Sequence, residues 1–295
     1  MIPPSELPIN ADGSVFHLHL RPEHLAERVI LVGDPGRVNT VASFFDSVEC
    51  DIQSREFHTI TGSYKGKRIS CVSTGIGCDN IDIVMTELDA LVNIDLEQRQ
   101  FKEEHTTLTL VRVGTCGGIQ PFTPLGSFIA SVKSIGFDGL LNYYEGRDEV
   151  CDLALEEAFC KHMKWSTKKG APYVAVADKE LIDRVAADDM VRGITVSCGG
   201  FYGPQGRFVR LIPQDYEQNL KVESFSYIDP LNPDAAPLEI CNFEMESSAV
   251  AGMSALLGHK AMTCCMVVAN RYTMEMDTEY KNTIENLITL VLDRI

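Results

Sequence analysis

The sequence is short of positive charge: 26 lysines and arginines stand against 42 aspartates and glutamates, a formal net charge of −16 over 295 residues. So acidic a surface repels nucleic acid and anionic membranes, and neither is expected as a partner. No apolar run approaches the roughly 20 residues that cross a bilayer. The opening residues Met1-Ile2-Pro3-Pro4-Ser5-Glu6 supply neither a basic segment nor an apolar core, so no secretory signal is expected. Ten cysteines are present but no Cys-x-x-Cys, which removes the commonest zinc and redox signatures. Cys71, Cys198, Cys264 and Cys265 fall in apolar runs where a free thiol packs as a small hydrophobe, and a reduced, cytoplasmic setting is the consistent expectation. Two nucleotide signatures are missing as well. There is no Gly-x-x-x-x-Gly-Lys-Ser/Thr for ATP or GTP, and no Gly-x-Gly-x-x-Gly after the first strand for a dinucleotide.

What is present is alternation. Apolar strand-like runs (Val29–Val32, Arg68–Ser73, Leu108–Val113, Phe128–Val132, Tyr173–Val176, Ile194–Ser197, Met262–Ala269) are separated by helical patterns. The helical patterns cover Val38–Phe45, Asp82–Leu91, Cys151–Met163, Glu180–Ala187, Glu246–Leu257 and Tyr280–Leu292. Such alternation predicts a single α/β domain over 1–295, with a central mixed, mostly parallel sheet covered by helices on both faces. Neither a low-complexity linker nor an internal repeat interrupts it. The charged stretch Asn93–Thr107 is expected to be a surface insertion, as a loop or a helix extension.

Ligands of open α/β sheets sit beyond the carboxyl ends of the strands. The segments there are Gly33-Asp34-Pro35-Gly36-Arg37, Thr74-Gly75-Ile76-Gly77, Gly114-Thr115-Cys116-Gly117-Gly118, Gly199-Gly200-Phe201 and Asn270-Arg271. Glycines after a strand let backbone N–H groups approach an anion, and a following helix adds its dipole. Arg37 and Arg112 flank two of these segments, and a guanidinium suits phosphate because its fork donates two bonds at once. Taken singly, they are equally readable as structural turns with surface arginines.

Two further constellations carry chemistry. In Asn242-Phe243-Glu244-Met245-Glu246-Ser247, two carboxylates at a strand-to-helix junction can accept from sugar hydroxyls or simply cap the helix. In Phe201-Tyr202-Gly203-Pro204-Gln205-Gly206-Arg207, an aromatic ring, an amide and a guanidinium match a uracil edge, though a solvated loop has the same composition. His17 and His19 alternate on a strand, but two histidines without a third ligand do not define a metal site, and none is expected.

In their order along the chain these segments, with Val15-Phe16-His17-Leu18, Ser54-Arg55-Glu56-Phe57 and Arg112-Val113-Gly114-Thr115, resemble the nucleoside phosphorylase family of the hexameric and related dimeric type, closest to its uridine-cleaving members. The resemblance implies phosphate held by Gly33, Arg37, Arg112 and Thr115, with Arg55 from a neighbouring subunit. It implies ribose held by Met245 and Glu246, with the neighbour's His17 on the 5′-hydroxyl, and uracil held by Phe201, Gln205, Arg207 and Arg271. Catalysis would rest on Arg112, Gln205, Arg207 and Glu246, with inorganic phosphate as co-substrate and no cofactor. Active sites shared in this way imply a homo-oligomer built from dimers. Purine-cleaving relatives carry an aspartate in the loop after the last strand, where this chain has Asn270-Arg271-Tyr272-Thr273. Some relatives bind a monovalent cation between subunits through a glutamate and a serine. Here Glu56 matches, but Asn80 replaces the serine. The implied activity is reversible phosphorolysis of uridine to uracil and ribose 1-phosphate. A purine-cleaving phosphorylase, a nucleosidase, or a silent nucleoside-binding protein on the same fold are the alternatives.

Overall fold

A computed structural model describes residues 1–295, the side chain of Asn282 excepted. The first strand, β1 (Arg28–Val32), is an uninterrupted apolar run whose last four residues are buried, as a parallel strand covered on both faces requires. It pairs in parallel with β4 (Lys67–Ser73) on one side and β5 (Thr109–Gly118) on the other. The antiparallel strands β2 (Ser47–Ser54) and β3 (Phe57–Tyr64) extend the sheet beyond β4. On the other side β5 pairs in parallel with β10 (Lys260–Asn270), and β10 runs antiparallel to β6 (Phe128–Gly136). β7 (Tyr173–Val176) hangs on β6, which also pairs in parallel with β8 (Val191–Ser197), and β8 with β9 (Leu238–Glu244).

The sheet of twelve strands, short edge strands included, then closes on itself. The end of β5 pairs back onto β9, Gly117 with Phe243 and Gly118 with Asn242. The strands β5, β10, β6, β8 and β9 therefore form a barrel from which β1, β4, β3 and β2 run out as a wing.

Helices cover both faces. Val38 and Val41 of α1 (Pro35–Ala42), Leu181 and Val185 of α4 (Lys179–Ala186), and Leu287, Ile288 and Val291 of α6 (Lys281–Arg294) pack on one face with Ile30, Val111 and Met262. On the other face, Ile81, Val84 and Leu88 of α2 (Cys78–Asn93) and Ala249, Val250 and Met253 of α5 (Ser247–Leu256) meet Val29, Leu31 and Leu110. α3 (Leu153–Met163) closes a third apolar cluster at the far end of the barrel. Among the described residues, no helix is long and apolar enough to cross a membrane.

Local expectations shift in three places. Gly114–Gly118 is not a turn: β5 runs through to Gly118. Its glycines make room instead. A Cβ on Gly114 would lie 2.3 Å from Arg112 Nη1, and one on Gly118 would lie 2.8 Å from Thr123 O. The expected helix Cys151–Met163 starts only at Leu153, because Asp152 caps it by accepting from Leu155 N. After Asn93 the charged stretch turns into a small hairpin, Ile94–Asp95 against Gln100–Phe101, and Arg99 of that hairpin donates to Leu7 O at 2.8 Å.

Candidate active site

The carboxyl ends of β1, β4, β5, β9 and β10 surround a cavity of about 670 Å³. It brings together Gly33, Arg37, Arg112, Thr115, Phe201, Gln205, Arg207, Met245 and Glu246 from segments far apart in sequence. Arg271, Arg55 and His17 lie outside its wall.

At one end stands the turn between β1 and α1. Pro35 occupies the first helical position, and Asp34 caps the helix by accepting from Gly36 N at 2.8 Å. The chain's own carboxylate thus answers part of the dipole that was expected to greet an anion. Arg37 is what remains. Its Nη1 donates to Val113 O at 3.3 Å, and among the described residues it forms no ion pair. Burial, with the nearby charge of Arg112, lowers its pKa from the ordinary value. Thr115 beside it has a hydroxyl with no side-chain bond among the described residues, so this end offers an unneutralised cation and a free hydroxyl.

Next to it the cation already has carboxylate partners. Arg112, only 4% exposed, donates through Nη2 to Glu246 Oε2 and lies 3.2 Å from Glu244 Oε2 through Nη1. Burial alone would weaken the guanidinium's hold on its proton, but Glu246 and Glu244 outweigh it and raise the pKa. For Glu246, burial pushes the carboxyl up while Arg112 pulls it back, and the net direction is upward. Both carboxylates line the cavity, but they are bonded differently. Glu244 accepts from Glu246 N, Ser247 N and Ser247 Oγ, and so caps α5. Glu246 accepts from Gly77 N at 2.8 Å and remains in the cavity wall with Met245.

The third part is the loop Phe201–Arg207. Gln205, 2% exposed, ends a short 3-10 turn from Gly203. Its amide oxygen accepts from Arg271 Nη2 at 2.8 Å, and its backbone carbonyl accepts from Arg271 Nη1. Arg271 therefore stands behind the wall and fixes the amide, with its guanidinium 4.6 Å from the ring centroid of Phe243. Burial, with Arg207 nearby, lowers its pKa to about 10. Arg207 stacks on Phe201 at 3.9 Å from the ring centroid and donates from Nε to the Phe201 carbonyl at 3.0 Å. Asn270 is turned to structure: its amide donates to Thr123 O and accepts from Tyr272 N and Thr273 N. Glu275, the next acid, is exposed.

His17 and Arg55 meet elsewhere. Glu87 accepts from His17 N and Leu18 N and lies 2.6 Å from His17 Nδ1, while the Arg55 guanidinium sits 5.6 Å over the ring of Phe16. Both therefore share a surface patch outside their own chain's cavity. His19 pairs with Asp12 at 3.2 Å, so His17 and His19 do not converge on a metal. Asp89, His105 and His259 do come together, with ligand atoms within 4.8 Å of one another. However, Leu108 N donates to His259 Nδ1, which places the proton of a neutral ring on Nε2 and turns an N–H, not a lone pair, to that cluster. Glu56 and Asn80 both crowd Gly75, Asn80 through its amide nitrogen. Tyr280 and Met276 also line the cavity. Neither was singled out in the sequence, because both follow the last strand in a segment without a motif.

Comparison with known proteins identifies the family. A family model described as the phosphorylase superfamily matches residues 27–293. The chain is 31% identical over 277 residues to a uridine phosphorylase of Thermococcus kodakarensis, covering 92% of this chain and 83% of that protein. It is 26% identical over 280 residues to a DeoD-type purine nucleoside phosphorylase of Anoxybacillus flavithermus, covering 94% and 97% respectively. A solved nucleoside phosphorylase of Trypanosoma brucei, described as showing uridine phosphorylase activity, superposes with a TM-score of 0.83 over 98% of each chain at 26% identity. The chain belongs to the phosphorylase superfamily, as one of the nucleoside phosphorylases that transfer a pentosyl group.

Proposed function

We propose that the protein is a uridine phosphorylase, converting uridine and phosphate reversibly to uracil and ribose 1-phosphate. The observation that carries this reading is the Phe201–Arg207 end of the cavity, where an amide and a guanidinium are offered and no acid of the segment after β10 lines the cavity, the first of them, Glu275, being exposed. With its oxygen held by Arg271, Gln205 keeps its NH2 for a carbonyl of the base, and Arg207 supplies positive charge to the same edge. A purine ring would call for an acid at its N7, and Asn270 is engaged with the backbone instead.

The reaction then follows from placement of charge. Phosphate sits by Gly33, Arg37 and Thr115, with Arg112 between it and the sugar. Glu246 and Met245 take the ribose hydroxyls, which favours a ribonucleoside. As the glycosidic bond stretches, the phosphate dianion faces the cationic sugar while Gln205 and Arg207 face the departing uracil anion. Phosphate oxygen bonds to C1′, and the bond electrons leave with the base. No general acid is needed when the leaving group is a stabilised anion. The patch of His17 and Arg55, outside the wall of its own cavity, is suited to complete the cavity of a partner subunit in a homodimer.

The test is an absorbance assay on uridine, thymidine and inosine with and without phosphate. Uridine should be cleaved fastest and only when phosphate is present. Cleavage that proceeds equally without phosphate sinks the phosphorylase assignment, and preference for inosine transfers the protein to the purine-cleaving relatives.

A further inference from the structure

Beneath the Gly33–Arg37 turn lies a histidine that the reaction above does not use. His58, on β3, is 6% exposed. Its Nε2 faces Asp51 Oδ1 of β2 at 2.7 Å, and its Nδ1 faces the carbonyl oxygen of Pro35, in the first turn of α1, at 3.4 Å. Its backbone N–H donates to Ser73 Oγ at 2.7 Å, so the residue is also anchored to β4.

Both ring nitrogens face acceptors. An ionised carboxylate only accepts, so a neutral ring serving Asp51 would turn a lone pair on Nδ1 toward the lone pairs of a carbonyl. The ring is therefore wedged between Asp51 and the Pro35 carbonyl, and through it β2 and β3 reach the first turn of α1.

The turn also has few other handles. Pro35 has no N–H, and the N–H of Gly36 is taken by Asp34. Arg37, two residues beyond Pro35, has no ion pair among the described residues to fix it. We propose that His58, braced by Asp51, is a positioning residue of the phosphate site, pinning the Pro35 carbonyl so that Arg37 is presented to the cavity. This rests on the reading of that turn as the phosphate site, and the experiment separates the two.

Steady-state kinetics with phosphate and nucleoside varied independently would be measured on the full chain, for His58→Leu, His58→Gln, Asp51→Asn and, as reference, Arg37→Ala. Loss of one such hydrogen bond predicts a rise in phosphate KM of about 3- to 10-fold for His58→Leu, with nucleoside KM moving less than about 2-fold. His58→Gln, which can still donate to one acceptor, should fall between it and the parent. Asp51→Asn, whose side chain is 59% exposed, should raise phosphate KM in the same direction, and it carries the test if His58→Leu does not fold. Equal rises in both KM values, or a fall in kcat alone, overturn the proposal. If Arg37→Ala raises phosphate KM while His58→Leu and Asp51→Asn leave it unchanged, the positioning role alone fails. If Arg37→Ala also leaves it unchanged, the phosphate reading fails with it.

Discussion

Arg37 and Arg112 face the same cavity, but Arg37 has no carboxylate partner among the described residues, whereas Arg112 is held by Glu244 and Glu246. The difference divides the site by what each part still lacks. The Arg37 end carries a partly buried cation with no ion pair among the described residues, which is why we propose it for the phosphate. The Arg112 part already holds its counter-charges, one guanidinium against two carboxylates, so it can meet an uncharged sugar through hydrogen bonds without calling for an anion. Pairing inside the protein also makes Arg112 a structural element, which Arg37 is not.

The largest expected effect breaks the paired side. Arg112→Met leaves two buried carboxylates in contact without a counter-charge, and stability should fall by on the order of 3–5 kcal/mol, read from urea unfolding. Because Glu246 loses its orienting partner in the same step, the nucleoside KM should rise together with the phosphate KM. Arg112 is therefore a poor probe of phosphate alone.

Arg37→Ala tests the unpaired side. It removes a half-buried cation that no carboxylate compensates, so stability should stay within about 0.5 kcal/mol of the parent or rise. Phosphate KM should increase by about 10- to 100-fold, the worth of a hydrogen bond to a charged group, with nucleoside KM little changed. A melting temperature that drops as far as that of Arg112→Met would erase the distinction between the two arginines.

The smallest effect concerns the base end. Arg271→Met frees the Gln205 amide without touching the cavity wall, and nucleoside KM should rise by about 10-fold while phosphate KM holds. A shift confined to phosphate would mean that Gln205 lies at the wrong end of the site.

The strands were legible in the sequence wherever both faces are buried, because Val29–Val32 and Met262–Ala269 then read as unbroken apolar runs. The turn between β1 and α1 was legible because Gly33, Pro35 and Arg37 lie within a few residues of one another. The extension of β5 through Gly114–Gly118 was not. Glycine there answers the guanidinium of Arg112 and the loop at Thr123, neither of which leaves a local mark. The resemblance implied that Arg271 sits at the base, but its place behind the wall was not legible, since its partner is Gln205, 66 residues away in sequence. His58 escaped notice for the same reason: it works on Pro35 across the gap between β3 and α1.

Composition, periodicity and turn chemistry by themselves determined the acidic surface, the α/β alternation and the segments that crowd the strand ends. Each of these is decided within a few residues, by solvation, burial or backbone conformation. Only the tertiary structure decided which arginine is neutralised and which is left for a ligand. Glu246 reaches Arg112 across 134 residues of chain. The charge state and affinity of a buried group depend on what lies within about 4 Å of it, where Coulomb energies are largest, and the path of the strands selects those neighbours.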